Sequence, residues 1–452
     1  MNSNFTTYAN ANIFFSLNTT DLASLLRPDA VHRAVYADAH LFALEQERIF
    51  RRAWIYLCHE SEIARSGDYV LAQLGPDEVI VARGADDGIA AMHNRCAHRG
   101  ARLVVAARGN TRLFTCAYHA WSFGLDGALD SVPAPEGYAG GFADGKPSPG
   151  LMRVARVASY RGFVFGSGAA AGPDLPTFLG GLASALDNMV DRAPGGALVQ
   201  AGGRLRMEFR GNWKLFMENA VDLVHPQYVH GGSVAVARES REAAQLEGQT
   251  GQTTQMLLAN GLRLAEWEKI GLHAFAEGHV YMDGFYRDGV IASERADPVF
   301  ERYRRALVEA QGEAKVREIL AMDRFNNLIW PNLSVNSRFQ TLRVVQPVAV
   351  DRTVVTSMCF RMEGAPPEMF DLSLRFLNTA SSPASLVASD DLEIFERCQR
   401  GLADPAAAWV DMSRAIGSDV PAGDGAVNAP GTSELPVRAQ MRAWRSWMEE
   451  AA

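Results

Sequence analysis

Apolar and polar positions along the chain change rhythm several times. Residues 37–57, ADAHLFALEQERIFRRAWIYL, carry apolar side chains at helical spacing and then run together, which predicts a helix leading into a strand. From about 66 to 166 the pattern becomes one of short runs: DYVLAQL, EVIVAR, IAAMHN, RLVVA, RLFTC and GFVFG. Gly, Asp and Asn punctuate them, as in a small all-β module. The stretch GSGAAAGPDLP, Gly166 to Pro176, is small and turn-rich and reads as a linker. Beyond it, RLRMEF, LRVVQPVAV and TVVTSMCFRM predict antiparallel strands, and WKLFMENAVDLV and DLEIFERCQRGL predict helices packed on them. Together these make an α+β protein. The stretch from Ala403 to Pro436 is rich in Ala, Gly and Pro and reads as an extended arm. No internal repeat recurs at a fixed period.

Composition narrows the classes. With 452 residues the chain is long enough for two or three domains, and 48% apolar residues suffice for large cores. The formal charge of −8, without a Lys/Arg run, argues against binding a nucleic-acid backbone. No apolar run approaches the roughly 20 residues that span a bilayer. The start MNSNFTTYANANIFF lacks the basic residues and small-residue cleavage site of a secretory signal, so the expected compartment is the cytoplasm. Five cysteines in a chain this long are no disulfide framework. Cys58, Cys359 and Cys398 are expected as core or near-core thiols, whereas Cys96 and Cys116 each precede a histidine and point to metal.

Those two cysteines carry the strongest local signal: Cys96-Ala-His98-Arg99-Gly100, then Cys116-Ala-Tyr-His119-Ala-Trp121. Each half offers one thiolate and one imidazole. A Rieske [2Fe–2S] cluster needs that division, two Cys on one iron and two His on the other. A structural zinc would more usually pair Cys with Cys and His with His, and mixed pairs fit it badly. Gly100 suits a tight turn, and Trp121 is either packing or a shield. His59 and His93 fall outside the pairs and read as surface or satisfied core histidines. The glycine run at 166–172 is too weak a signal for nucleotide binding.

A second constellation lies in Asn212-Trp213-Lys214-Leu-Phe-Met-Glu218-Asn219-Ala-Val-Asp222-Leu-Val-His225-Pro226-Gln-Tyr-Val-His230-Gly231-Gly232. Asp222 and His225, three apart, would share a helix face. Pro226 disfavours the α conformation at His225 and would break the helix, letting His230 swing back beside His225 before the two glycines end the segment. Two histidines and a carboxylate form the facial triad of non-haem Fe(II) oxygenases, with open positions for O₂. The carboxylate is Asp222, nearest in sequence, or comes from Ser389-Asp390-Asp391-Leu-Glu393. There Asp390 and Glu393 have the spacing of a capping box, which would put Asp391 in the first helical turn.

With both constellations in hand, the chain resembles the alpha subunits of Rieske ring-hydroxylating oxygenases, most of all the benzoate/anthranilate/salicylate-type group. EQERIFRRAWIYLCHESEI, both motifs in this order, NLIWPNLSV, SDDLEIFERCQRGL and GTSELPVRAQMRAW carry the resemblance. It implies that Cys96, His98, Cys116 and His119 bind the cluster, and that His225, His230 and Asp391 bind a mononuclear iron. It implies that Asp222 bridges a cluster histidine of one subunit to an iron histidine of its neighbour. It implies trimers, usually with a small beta subunit as α₃β₃. Residues 55–168 would be the Rieske module, inserted between an N-terminal part of the catalytic domain, 1–54, and its remainder, 169–452. Val224 departs from the family, in which many members have Tyr or another aromatic there.

The expected reaction is hydroxylation of an aromatic substrate, an aromatic acid by preference, to a cis-dihydrodiol or a phenol. O₂ is the oxidant, and NADH electrons arrive through a separate reductase with or without a ferredoxin. The rivals are a Rieske monooxygenase or demethylase of a non-arene and a pure Rieske electron carrier; the chain is far too long for the last. Arg338, shortly after WPNLSV, is the candidate for holding a substrate carboxylate.

Overall fold

In the computed structural model, residues 19–138, 149–246, 252–285 and 298–450 are described; the N-terminal stretch read above for targeting lies outside them. The expected helix-then-strand appears as Ala39–Glu45, a π-turn over Gln46–Phe50, and the strand Ile55–His59. Asp38 starts the helix by accepting hydrogen bonds from the backbone N–H of His40 and Leu41.

The β module follows. Asp68–Leu74, Asp77–Arg83, Ile89–His93 and Arg108–Asn110 form one antiparallel sheet, and Phe114–Thr115, Ser122–Phe123 and Leu129–Ser131 a second. A third joins Arg156–Tyr160 and Phe163–Ser167 to Ile55–His59. Alternation along Asp77–Arg83 sets the plan. Ile80 and Ala82 face a small core with Cys96, Cys116, Trp121 and Phe123, while Val79 and Val81 face the main core of the protein. One strand thus fuses the module to the rest. The expected strand RLVVA is not one: buried Asn94 takes the backbone N–H groups of Leu103 and Val104 on its amide oxygen and gives its own N–H to the Val104 carbonyl. A side chain replaces the ladder there. The linker after Gly166 is stitched by Arg156, whose guanidinium donates to the carbonyls of Ala169, Gly172 and Pro173.

The larger part is built on a nine-stranded antiparallel sheet. Its order is Leu198–Phe209, Arg352–Met362, Thr341–Ala349, Leu333–Asn336, Arg324–Ile329, Val280–Asp283, Gly271–Ala274, Val427–Pro430, Val420–Pro421. The last two strands correct the expected arm at 403–436: it closes the sheet edge, and its Trp409–Asp411 pairs with Ala30–His32. Helices Trp213–Asn219, Pro367–Ala380 and Ala388–Leu402 pack on the sheet. Buried Glu45 ties the N-terminal helix to both Trp213–Asn219 and the C-terminal helix Leu435–Glu449. It pairs with Lys214 and accepts from the indole N–H of Trp213 and Trp444. The α+β expectation holds. Cys58 and Cys359 are buried as expected, but Cys398 is exposed.

Candidate metal centres

The two Cys–His loops share one backbone design. Cys96 N–H donates to the Ala101 carbonyl and Gly100 N–H to the Cys96 carbonyl; Cys116 N–H donates to Trp121 and Ala120 N–H to Cys116 in the same way. In each loop the fourth residue after the cysteine has positive φ, +72° at Gly100 and +54° at Ala120. The tight turn expected at Gly100 is therefore real, and its counterpart holds an alanine in the left-handed region. The loops face each other. The His98 and His119 rings lie 4.7 Å apart, and Trp121, buried, stacks on His98 at 4.8 Å with planes 2° from parallel. Trp121 is thus both packing and a cover on the ring. Nδ1 of His98 and Nδ1 of His119 are buried without a hydrogen-bond partner. Two buried thiols and two orphaned imidazole nitrogens, converging from two loops, fit a [2Fe–2S] cluster. His59, in contrast, is a core histidine bonded through Nδ1 to Ser61 Oγ at 2.9 Å and pushed down to about 4 by burial.

The second centre forms differently from expectation. The helix from Trp213 stops at Asn219, because Asp222 Oδ1 takes the Val224 N–H at 2.7 Å in a local turn. Asp222 and His225 share no helix face, yet Asp222 Oδ2 lies 3.6 Å from His225 Nδ1. His225 itself is helical (φ −60°, ψ −35°), and Pro226 opens the short helix Pro226–Val229 instead of breaking one. One turn of that helix returns His230 beside His225, with ring centroids 5.3 Å apart. Gly231 and Gly232 begin a further helix, Gly231–Leu246, where an end was expected.

Asp391 sits in the first turn of Ala388–Leu402, as expected. The cap is not Asp390, however. Ser385 Oγ accepts the Ala388 N–H at 3.0 Å, and Asp390 instead turns its Oδ2 to within 3.5 Å of His230 Nδ1. Asp391 Oδ1 lies 3.7 Å from His225 Nε2 and 3.4 Å from His230 Nε2, and donor atoms of the three residues all fall within 4.8 Å of one another. These gaps exceed hydrogen bonds and match one ion about 2 Å from each donor. Both Nδ1 atoms are buried without a hydrogen-bond partner, each facing an aspartate behind it. That is the carboxylate–histidine arrangement that orients metal-binding imidazoles. Burial pushes His230 down, so its ring is neutral, and pushes Asp391 up. Burial also raises Asp222, but His225, the Val224 N–H and Arg414 outweigh it and hold that carboxyl below its usual range.

A cavity of about 960 Å³, its open mouth included, adjoins the three residues. Leu223, Met256, Trp267, Phe285, Phe325 and Phe376 supply apolar wall; Asn219, Asn326, Ser334 and Arg343 supply polar points. Asn219, given no role in the sequence reading, bonds His225 Nε2 at 3.1 Å and Asp391 Oδ1 at 3.2 Å. Its signal was present, an Asn three residues before Asp222 at a helix end. Arg338 lies in the turn after Leu333–Asn336 and does not line the cavity; Arg343 does. A cation inside the otherwise apolar run LRVV was the overlooked signal.

Comparison with known proteins now decides the family. A model described as the ring-hydroxylating alpha subunit catalytic domain matches residues 198–450, and one for the Rieske [2Fe–2S] domain matches 53–160. The chain belongs to the ring-hydroxylating alpha-subunit family. It is similar to the anthranilate 1,2-dioxygenase large subunit of Acinetobacter baylyi, 35% identical over 85% of this chain and 80% of that one. The 2-halobenzoate 1,2-dioxygenase large subunit of Burkholderia cepacia is 33% identical over 84% and 79%. A solved naphthalene 1,2-dioxygenase with indole in its active site superposes with a TM-score of 0.79 at 28% identity, over 96% of this chain and 95% of that one. The protein is the catalytic alpha subunit of a Rieske ring-hydroxylating dioxygenase, an oxidoreductase of aromatic catabolism with a [2Fe–2S] domain and a non-haem iron domain. Among the described residues no helix is long and apolar enough to cross a membrane.

Proposed function

We propose that the substrate is an aromatic acid, oxidised on the ring with O₂ and electrons that begin on NADH and reach the chain through a separate reductase, with or without a ferredoxin. The single observation that carries the site assignment is the convergence of His225, His230 and Asp391 at one wall of a cavity with both apolar and polar lining. Those three would hold the iron, and Cys96, His98, Cys116 and His119 the cluster. When bound, the two groups supply one-electron transfer and activation of O₂. The chain's own residues do the rest. Asp222 and Asp390 hold the two imidazoles at their Nδ1 sides, Asn219 donates to Asp391 Oδ1 and would yield its contact with His225 Nε2 to the iron, and the aromatic wall excludes water around the substrate.

We take residues 55–168 as the cluster module and 1–54 with 169–452 as the catalytic part. Asp222, its side chain a third exposed, is the bridge to a cluster histidine of a neighbouring subunit in a trimer, with a small beta subunit completing α₃β₃. Exposed Val105, Tyr118 and Met152 in the cluster module support a partner surface there. The cytoplasm, where NADH is renewed, is the compartment this chemistry needs. The test is product analysis: the purified oxygenase with a matching reductase, NADH and O₂ should convert benzoate, anthranilate or salicylate to a ring-hydroxylated product. Oxidation confined to non-aromatic substrates would reject the reading.

A further inference from the structure

Arg343 stands out among the groups that the metal chemistry leaves unused. It lies on Thr341–Ala349, where it faces Ser334 of the neighbouring strand, and Thr341 faces Asn336. All four side chains line the cavity, a polar row on the sheet face beneath the three metal-site residues. Arg343 is deep in the protein but keeps accessible surface, because the cavity lies in front of it. Its hydrogen bonds both leave from Nη2 and both go to neutral acceptors, Ser334 Oγ at 2.9 Å and Asn326 Oδ1 at 3.5 Å. The guanidinium carbon sits 5.3 Å from the centre of the Phe216 ring, which steadies it from the helix side. Among the described residues no carboxylate forms an ion pair with it.

A buried guanidinium without a carboxylate is a costly arrangement. Burial pushes Arg343 down to about 10, with Asp391 opposing that shift, so the group stays charged at neutral pH. Of the acidic groups on the same wall, Asp391 is taken by the two histidines, and Asp222 faces His225 and Arg414. Asp391 therefore acts on Arg343 only at a distance, and an anion entering the cavity would be the first carboxylate in contact with it. A guanidinium that lines the cavity with hydrogen bonds from Nη2 alone keeps further N–H donors of its planar fork for a carboxylate.

We infer that Arg343 binds the carboxylate of an aromatic acid and so orients its ring against the His225–His230–Asp391 wall. This rests on the aromatic-acid reading above and names the residue that selects for the acid. Arg343 is a binding and specificity residue; it performs no proton or electron transfer.

The experiment is calorimetric titration of the intact, iron-loaded oxygenase with benzoate, anthranilate and salicylate, each beside its neutral amide. Wild type should prefer at least one acid over its amide. Arg343→Met should weaken that acid by roughly thirty- to a hundredfold and leave the amide within about threefold. Arg343→Lys keeps the charge but not the fork and should fall between, near tenfold. Cluster absorbance and iron content establish that each variant is folded; if Arg343→Met is not, Arg343→Lys carries the comparison. The inference is overturned if no acid binds wild type more tightly than its amide. It is equally overturned if the variants weaken acid and amide alike, which would make Arg343 a strand-to-strand pin. Turnover of an acid that Arg343→Met leaves unchanged would sink Arg343 and spare the aromatic-acid reading. Failure of wild type to hydroxylate any acid, with arenes lacking the carboxylate accepted, would sink the reading itself.

Discussion

Adjacent aspartates with different jobs make the sharpest test of the iron site. Asp391 points Oδ1 at both histidine Nε2 atoms, whereas Asp390 reaches only the far nitrogen of His230, at 3.5 Å. Asp391→Ala removes one of three donors, and iron affinity should fall by more than about a hundredfold, beyond the range for a residue that only supports a ligand. Asp390→Ala removes such a support. Its carboxylate is about a third exposed, so the low end of that range applies, roughly tenfold or about 1.4 kcal/mol. Because Asp390 is not the cap of the helix and Ser385 Oγ takes the Ala388 N–H, metal-free stability should change by less than about 1 kcal/mol, the contribution of a charge in the first helical turn. Anaerobic Fe(II) titration of the apo variants, with cluster absorbance as an internal control, measures the first quantity. Urea melts measure the second. Equal losses of iron affinity from the two variants would refute the geometry. So would an Asp391→Ala protein that holds iron like wild type.

Three other outcomes follow from named contacts. Asp222→Asn should keep cluster and iron but lose most turnover, with slow reoxidation of the reduced cluster in rapid-mix spectroscopy; normal reoxidation would rule out a bridge, and lost iron would make Asp222 a ligand. Glu45→Ala leaves Lys214 buried without its partner and should cost about 3–5 kcal/mol in denaturant melts; a loss under about 1 kcal/mol would show that Lys214 finds water or another partner. Ala120→Gly should stabilise the cluster module by up to about 1 kcal/mol and Gly100→Ala should destabilise it by a similar amount, since both positions have positive φ; thermal loss of cluster absorbance reads both, and identical signs would contradict the shared loop design.

Much of this protein follows from the sequence alone, because its strongest signals are local. Each Cys–His pair lies within a four-residue stretch, so the type and order of the candidate ligands are visible without the fold. The alternating runs of the β module and of the central sheet are likewise short-range patterns, and most strands fall where alternation puts them. What sequence could not decide depends on groups far apart in the chain. Whether Asp222 or Asp391 faces both histidines is fixed by the helix Ala388–Leu402 packing beside a segment more than 150 residues earlier. RLVVA fails as a strand because Asn94 supplies its hydrogen bonds from another loop. Pro226 reads as a breaker from its own stereochemistry, but His225 tolerates the helical conformation and the proline starts a new turn. Arg338 and Arg343 are both arginines close to one strand; only the register against Ser334 and the helices above decide that the second faces the cavity. Local chemistry names the candidate ligands, and long-range packing chooses among equivalent side chains, because only packing sets direction and distance.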